Sequence, residues 1–158
     1  MKQTLSQASY STFSLEIEPG ETRYRSVDEI IAYFRERIEE HRTARFIAEF
    51  DHYAHTRALP EGQIGEDILA AKLLIFCFGI SLPDPAMLAV RPRSIGVAQT
   101  RQGFVITFLE PPMPVANAVM EDWAQGLCDP VNPGSQHHPP NTPESSLSGP
   151  GDGGRGTP

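Results

Sequence analysis

Two histidines and an aspartate lie close together near the middle of the chain. Asp51, His52 and His55 supply a carboxylate and two imidazoles, and imidazole is the commonest metal ligand. Both rings can reach one ion only if the chain turns between them, because side chains three apart on a strand point to opposite faces. A metal would also need a third ligand, for which Cys77 and Glu110 are candidates. The alternative is structural, with His52 covering the core and His55 in a loop.

Two arginines flank a proline later in the chain. Arg91 and Arg93 precede Ser94, and two guanidinium groups beside a hydroxyl can hold a carboxylate or a phosphate. Arginine supplies 11 of the 13 basic residues, so the pair also fits ordinary surface ion pairs. The candidate ligand-binding residues are therefore Asp51, His52, His55, Arg91 and Arg93, with His52 and His55 as the candidate metal ligands.

The sequence contains no familiar catalytic motif. A glycine-rich phosphate loop, a Ser-His-Asp series, His-Glu-x-x-His and Cys-x-x-Cys are all missing from it. Cys77 lies between two phenylalanines in an apolar run, where burial lowers the reactivity of a thiol, and we interpret it as a core residue. The sequence therefore predicts no catalytic residue and requires no cofactor, and binding is expected ahead of enzymatic activity.

Periodic patterns predict the elements that position these residues. Polar and apolar residues alternate from Ser11 to Glu18, which predicts a strand, and Ser26 with Glu29 forms a capping box that predicts a helix start. The apolar stripe of that helix consists of Val27, Ile30, Ile31, Phe34 and Ile38. Further strands are predicted at 44–53, 73–80, 94–100 and 104–109, helical turns at 66–71 and 84–89, a loop at 58–65, and a final helix at 115–127 anchored by Trp123.

The order β-α-β-β-β-β-α predicts an α+β fold, with a curved, mostly antiparallel five-stranded sheet packed by two helices. The run at 73–80 is apolar on both faces, which predicts a central strand that is covered on both sides. Residues 1–128 are predicted to form a single α+β domain. Residues 129–158 hold 7 of the 15 prolines and 6 of the 13 glycines, so we expect a disordered tail there.

Three segments of the chain resemble a known family. Phe50-Asp51-His52 ends a predicted strand, Leu73-Leu74-Ile75-Phe76 follows a loop, and a proline-containing turn and a hairpin come next. Over roughly Ser26 to Leu127 the pattern resembles the bacterial family called domain of unknown function 302. The chain is more closely similar to a narrower uncharacterised bacterial family that contains Phe-Asp-His-Tyr, Ile-Phe-Cys-Phe-Gly and Arg-Pro-Arg-Ser-Ile-Gly, here at 50, 75 and 91. The resemblance implies a fold like that of the TATA-binding protein and no known activity.

Charge and hydropathy limit the expected partners. The formal net charge is −7, which argues against nucleic acid and anionic membranes because both attract clustered positive charge. The start of the chain lacks the apolar segment of a signal peptide, and the longest apolar run is too short to cross a bilayer. Cys77 and Cys128 make no disulfide framework and fit a reducing compartment. We expect a soluble, cytoplasmic bacterial protein.

The leading hypothesis is a non-enzymatic domain that binds a small ligand or a protein partner. The binding surface would be the space between the sheet and the last helix, or an exposed sheet edge, and a homodimer could form. The phenylalanines available to line or fill that space are Phe46, Phe50, Phe76, Phe78, Phe104 and Phe108. The alternative is a metal- or anion-dependent enzyme in which His52 and His55 surround one cleft with Arg91 and Arg93. A third hypothesis makes the tail the partner-binding segment.

Overall fold

The computed structural model describes residue 3 and residues 9–79 and 81–129. In chain order the elements are β1 (Ser11–Ile17), α1 (Val27–Glu40), β2 (Ala44–Asp51), α2 (His52–Ala58), β3 (Ile68–Phe78), a 3-10 turn (Pro85–Val90), β4 (Arg93–Thr100), β5 (Gly103–Glu110) and α3 (Pro114–Gln125). The α+β class and the order of five strands with a helix after the first and the last are confirmed. The predicted tail lies outside the described residues except for its first position.

The five strands form one open antiparallel sheet in the order β1-β5-β4-β3-β2. The register determines which residues share a face, and Phe76 of β3 lies opposite Phe46 on one side and Arg93 on the other. β1 and β2 are the two edges. The pairing of β2 is irregular between Phe46 and Ala48, and such a bulge disfavours pairing of an edge strand with another chain.

Helices α1 and α3 cover one face of the sheet and enclose the core. The whole predicted stripe of α1 is buried. From α3, the Trp123 ring stacks on Phe78 at a centroid distance of 5.9 Å and lies 5.9 Å from Phe76. Trp123 is therefore the anchor of α3, as predicted, and burial of such large side chains contributes about 1.5–3 kcal/mol each.

The other face of the sheet carries the short helix α2 at the end of β2. Phe50 points to this face and contacts the rings of His52 and His55. On the same face Ile75 and Cys77 are only half-buried. The prediction that residues 73–80 are covered on both sides is therefore wrong, and so is the assignment of Cys77 to the core, because the two long helices pack on one side only.

Two local predictions between residues 51 and 71 are also wrong. The strand ends at Asp51 and not at Tyr53, because the Asp51 carboxylate accepts the backbone N–H of Ala54 at 2.7 Å and caps α2. β3 already begins at Ile68, where the sequence predicts a helical turn. Ile68 lies opposite Thr100 of β4, and this pairing outweighs the helical preference of the alanines at 70 and 71.

The predicted capping box at the start of α1 forms in part, because the Glu29 carboxylate bonds the residue before the cap and not the cap residue Ser26. The Ser26 hydroxyl accepts the N–H of Glu29 at 3.2 Å, and the Glu29 carboxylate accepts the N–H of Arg25 at 2.6 Å.

The bond between Arg91 and Pro92 is a cis peptide. Within the described part of the chain, no helix combines the length and the apolar character that crossing a membrane requires.

Candidate ligand cleft

A cleft of about 230 Å³ lies between the first turns of α3 and the end of β3. Its walls are almost entirely apolar, and its two polar lining residues belong to the connection between α1 and β2. The lining residues are His41, Thr43, Phe78, Met113, Pro114, Val115, Ala116 and Val119. The cleft occupies part of the space between the sheet and the last helix that the leading hypothesis names.

Three segments that are distant in sequence meet at the cleft. α1 ends at Glu40, and the backbone N–H of its C-cap residue His41 donates to the carbonyl of Ile38 at 3.3 Å. The carbonyl of Thr43 then accepts the N–H of Gly79 at 2.8 Å, which joins the connection between α1 and β2 to the end of β3. Across from them α3 begins at Pro114, a residue that suits a first helical position because no N–H is needed there.

The imidazole of His41 is held by aromatic and polar neighbours. Its centroid lies 5.4 Å from that of Phe78 and 5.7 Å from that of Trp123, and both pairs are nearly perpendicular. Its Nδ1 lies 3.4 Å from the backbone nitrogen of Thr43 and 3.3 Å from the hydroxyl of the same residue. These contacts fix the orientation of the ring in the cleft wall.

The first turn of α3 forms the opposite wall. Met113 is the N-cap residue, and its side chain accepts no hydrogen bond from the first N–H groups of this helix. Serine, threonine, aspartate or asparagine is the usual residue there, because a side-chain oxygen satisfies those groups. The apolar Met113 continues the apolar wall instead. Val115 is 76% exposed at its rim, whereas Ala116 is 5% exposed at its base.

The connection between β5 and α3 is held by the buried Arg93. Its Nη2 donates to the carbonyl of Leu109 at 2.9 Å and to Oδ1 of Asn117 at 2.7 Å. The Asn117 amide donates in turn to the carbonyl of Pro111 at 3.1 Å. Arg93 is 4% exposed, and its Nη1 is buried without a hydrogen-bond partner in the described part of the chain. Arg93, which the sequence suggests as an anion-binding residue, thus donates its hydrogen bonds to two oxygens of the protein itself.

Two carboxyl groups accompany Arg93 beside α3. Burial lowers the pKa of the Arg93 guanidinium, and the charge of Glu110 acts in the opposite direction. Burial raises the pKa of Glu110, the neighbouring Glu121 raises it further, and Arg93 lowers it. The carboxyl of Glu110 therefore stays protonated to a higher pH than an isolated glutamate does.

Arg91 lies in a different environment from Arg93. Its Nη1 donates to the carbonyl of Ser81 at 2.8 Å, and its Nη2 lies 3.7 Å from the sulfur of Met113. It lines a second groove, of about 430 Å³, together with Ile47 and other residues. The two arginines are neighbours in sequence but do not converge on one space.

His52 and His55 share one face of α2, because residues three apart on a helix lie on the same side. Their ring centroids lie 5.6 and 5.2 Å from that of Phe50. Nδ1 of His52 is 3.1 Å from the hydroxyl of Thr56, and the carboxylate of Asp51 is occupied as the helix cap. The structure therefore brings the three predicted residues together, with Asp51 in a structural role.

No third metal ligand accompanies the two histidines in residues 9–79 and 81–129. That part of the chain contains no group of three or more His, Cys, Asp or Glu side chains placed to hold an ion. The two candidates named from the sequence lie elsewhere. Cys77 is opposite Arg45 near the far end of β2, and Glu110 ends β5.

The histidines and the arginines lie at different ends of the sheet. His52 follows Asp51, which is opposite Lys72 of β3, whereas Arg93 is opposite Phe76 of the same strand. Four residues of a strand span about 13 Å. In addition, Arg93 points to the face of the sheet that α1 and α3 cover, whereas His52 lies with Phe50 on the opposite face of the sheet. The single cleft that the enzymatic alternative requires does not form among these residues.

The sequence does not indicate that His41 and Thr43 line the cleft. His41 directly follows the charged face of α1, where a histidine is a helix-end signal and not a site signal. Thr43 carries no signal at all. Of the six phenylalanines expected to line or fill the space, Phe78 lines the cleft, and Phe76, Phe104 and Phe108 are buried in the core.

The chain belongs to the family of unknown function DUF6858, whose model matches residues 1–129. No curated protein matches the sequence. Among solved structures, the chain is similar to the crystal structure of the uncharacterized conserved protein DUF302 from Bacillus stearothermophilus, with 15% identity and a TM-score of 0.47, over 72% of this chain and 88% of that one. The predicted membership of an uncharacterised family similar to domain of unknown function 302 is confirmed, and these matches name no activity.

Proposed function

We propose that this protein binds a small, largely apolar molecule in the cleft and catalyses no reaction on it. The observation that supports this function is the composition of the walls. Five apolar residues from Met113 to Val119 lie across from Phe78, and together they enclose a space of about 230 Å³. Apolar ligand surface that leaves water against such walls contributes about 25 cal/mol per Å².

The size of the cleft suits a small molecule. A closed apolar cavity of about 150 Å³ binds benzene, and sites for drug-sized ligands measure about 300–1,000 Å³. With about 230 Å³, this cleft accommodates one substituted ring or a short branched chain. A nucleotide or a long acyl chain would extend well beyond the rim at Val115.

The test is a titration of the ¹⁵N-labelled full chain with toluene, followed by amide chemical shifts. We expect shifts at residues 41–43 and 113–119, and we expect Ala116→Leu to abolish them because the added side chain fills the base of the cleft. Ala118→Leu is the matched control, since residue 118 is exposed on the same helix. If Ala116→Leu does not fold, Val119→Phe replaces it. Equal binding by the filled variant and the control would refute the site.

A second candidate function is self-association through the groove that Arg91 lines. Three of the exposed large apolar side chains meet there, with Ile47 51%, Leu82 57% and Leu88 58% exposed. Clustered exposed apolar residues are typical of protein contacts. Sedimentation of the full chain tests this function: a dimer that Leu88→Glu dissociates would support it, and a monomer at high concentration would exclude it.

The enzymatic alternative loses the convergence of histidines and arginines on which it depends. The two imidazoles of α2 remain a pair of metal-binding side chains without a third protein ligand in the described residues. Native mass spectrometry of the chain truncated after Cys128 tests whether the α2 histidines hold a metal, because the truncation removes the histidines of the tail. A retained metal that His52→Ala abolishes would restore the metal hypothesis.

A further inference from the structure

We infer that two copies of this protein associate through the face of the sheet opposite α1 and α3, called the open face, about a two-fold axis that runs along β4. The inference rests on the second candidate function, self-association, and extends it from the groove at Arg91 to the open face of the sheet. It is independent of the proposed ligand cleft, which lies between α3 and the sheet.

The alternation of β3, β4 and β5 determines which side chains the open face displays. Phe76, Ile95 and Ile106 are fully buried beneath the helices, so the residues on either side of each point to the open face. Between the rows of Ala71 and Cys77 these are alanine, leucine, isoleucine and cysteine on β3, serine, glycine and alanine on β4, and valine, threonine and leucine on β5. Although 21% of the residues in the chain are charged, these three strands therefore present no charge to the open face in those rows.

The absence of charge from the centre of the open face favours a second copy as the partner. A strongly charged partner would find no opposite charge on these strands. Two identical faces that meet bring no like charges together, which is the first requirement of a contact between equal surfaces.

The charged side chains of the open face lie on its two edge strands and have opposite signs. Glu16 of β1 is opposite Val105 and points to this face. Arg45 of β2 is opposite Cys77 and points to it as well. Because β4 is the middle strand, a two-fold axis along it lays the β1 edge of each copy over the β2 edge of its partner. The edge that carries Glu16 then meets the edge that carries Arg45, and the two copies of Glu16 stay apart.

The sizes of the side chains fit the same axis. On the open face β4 displays small side chains from Ser94 to Ala98, whereas β3 displays Leu73 and Ile75 and β5 displays Leu109. About this axis β4 faces its own copy, and β3 of one copy faces β5 of the other. The small side chains on the axis let the two sheets approach, and the larger ones pack around them at the usual sheet separation of about 10 Å.

The extent of the open face determines the strength of the association. Five strands about 4.8 Å apart and the six residue steps from Ala71 to Cys77, of about 3.4 Å each, give a face of roughly 19 by 20 Å. The groove that Cys77 lines with Ile47 and Leu88 extends this face beyond the strands. A face of about 400 Å² is smaller than the about 800 Å² per partner of a standard interface, so we expect a weak, reversible dimer.

The test places like charges on the axis, where the exposed Ser94 of β4 faces the same residue of the second copy. Sedimentation of the full chain from about 5 µM to about 500 µM measures the dimerisation Kd over the range of weak interfaces. Ser94→Asp and Ser94→Lys should each raise that Kd about tenfold or more, and an equimolar mixture of the two should recover a dimer with a Kd near that of the wild type. Ala118→Asp and Ala118→Lys add the same charges to the exposed side of α3 and are the matched controls, which should leave the Kd unchanged.

The outcomes separate the inference from self-association through the groove. A monomer over the whole concentration range would refute both. A dimer that Leu88→Glu dissociates and both Ser94 variants leave intact would support the groove and refute the open face. Loss of the dimer in both Ser94 variants without recovery in their mixture would also overturn the inference, because the open face would then contact a different surface.

A measurement on the wild-type chain decides the question if a Ser94 variant does not fold. On dilution of the ¹⁵N-labelled full chain, we expect concentration-dependent amide shifts at residues 71–77 and 94–98 and constant shifts along α3. Constant shifts at residues 71–77 and 94–98 would overturn the inference.

Discussion

Replacement of Arg93 by methionine should destabilise the fold by about 2–4 kcal/mol. The guanidinium makes two hydrogen bonds with neutral acceptors, the Leu109 carbonyl and Asn117 Oδ1, and a bond that involves a charged group contributes about 1.5–3 kcal/mol. The substitution removes about 3–6 kcal/mol of such contributions. Part is regained, because it also removes a buried charge and the unpartnered Nη1, whose desolvation costs about 1–3 kcal/mol.

Urea unfolding at pH 7 measures this change, and a thermal scan should show a midpoint lowered by roughly 8–16 °C at about 4 °C per kcal/mol for a domain of this size. Arg57→Met, on exposed α2, is the control and should change stability by less than about 0.5 kcal/mol. The double variant with Asn117→Leu should lose less than the sum of the two single changes, because both remove the same bond. If Arg93→Met is as stable as the wild type, the desolvation of the charge cancels its hydrogen bonds and the reasoning is refuted.

Three further predictions concern single positions. Gly103→Ala should lower the free energy of unfolding by more than about 3 kcal/mol, because φ is +140° at this position and an added Cβ would overlap the carbonyl of Ile17. The amides of β1 should then lose protection in hydrogen exchange, and intact protection would contradict the prediction. Ser26→Ala should cost about 1 kcal/mol in urea unfolding through loss of the α1 cap, and no loss would show the cap to be dispensable. The pKa of Glu110 is higher in the folded than in the unfolded chain, so its stabilising effect is complete below the unfolded pKa and is lost as pH rises through the folded pKa. As pH rises from 4 to 7, the free energy of unfolding of Glu110→Gln should therefore increase relative to that of the wild type. If the difference between the two proteins stays constant over this range, the raised pKa is refuted.

The sequence predicts the strands and the long helices because their patterns are local. The alternation around Phe13 and the stripe of α1 each indicate which face is buried, and the Ser26 capping box marks a helix start. The sequence does not predict α2, because alternation continues into that segment and the competing signal is a single aspartate that can cap a helix. The start of β3 depends on pairing with β4, which no local preference of its alanines reveals.

The candidate site could be predicted only in part. The sequence indicates a space between the sheet and the last helix, and Phe78 as one of its residues. It does not indicate His41, because the role of that ring depends on Thr43, Phe78 and Trp123, which three different segments supply. Arg93 shows the opposite case, since its residue type suggests an anion site, whereas its burial and partners give it a structural role.

The construction of the cleft from residues near 41, 78 and 115 has a thermodynamic consequence. An unfolded chain holds no version of this surface, so a molecule that fits it binds the native state alone and shifts the unfolding equilibrium by mass action. At a ligand concentration 100 times Kd the gain is about 2.7 kcal/mol, or roughly 11 °C in the midpoint of thermal unfolding for a domain of this size. Thermal denaturation of the intact chain against a collection of small metabolites therefore tests the proposed binding without any knowledge of the ligand's chemistry.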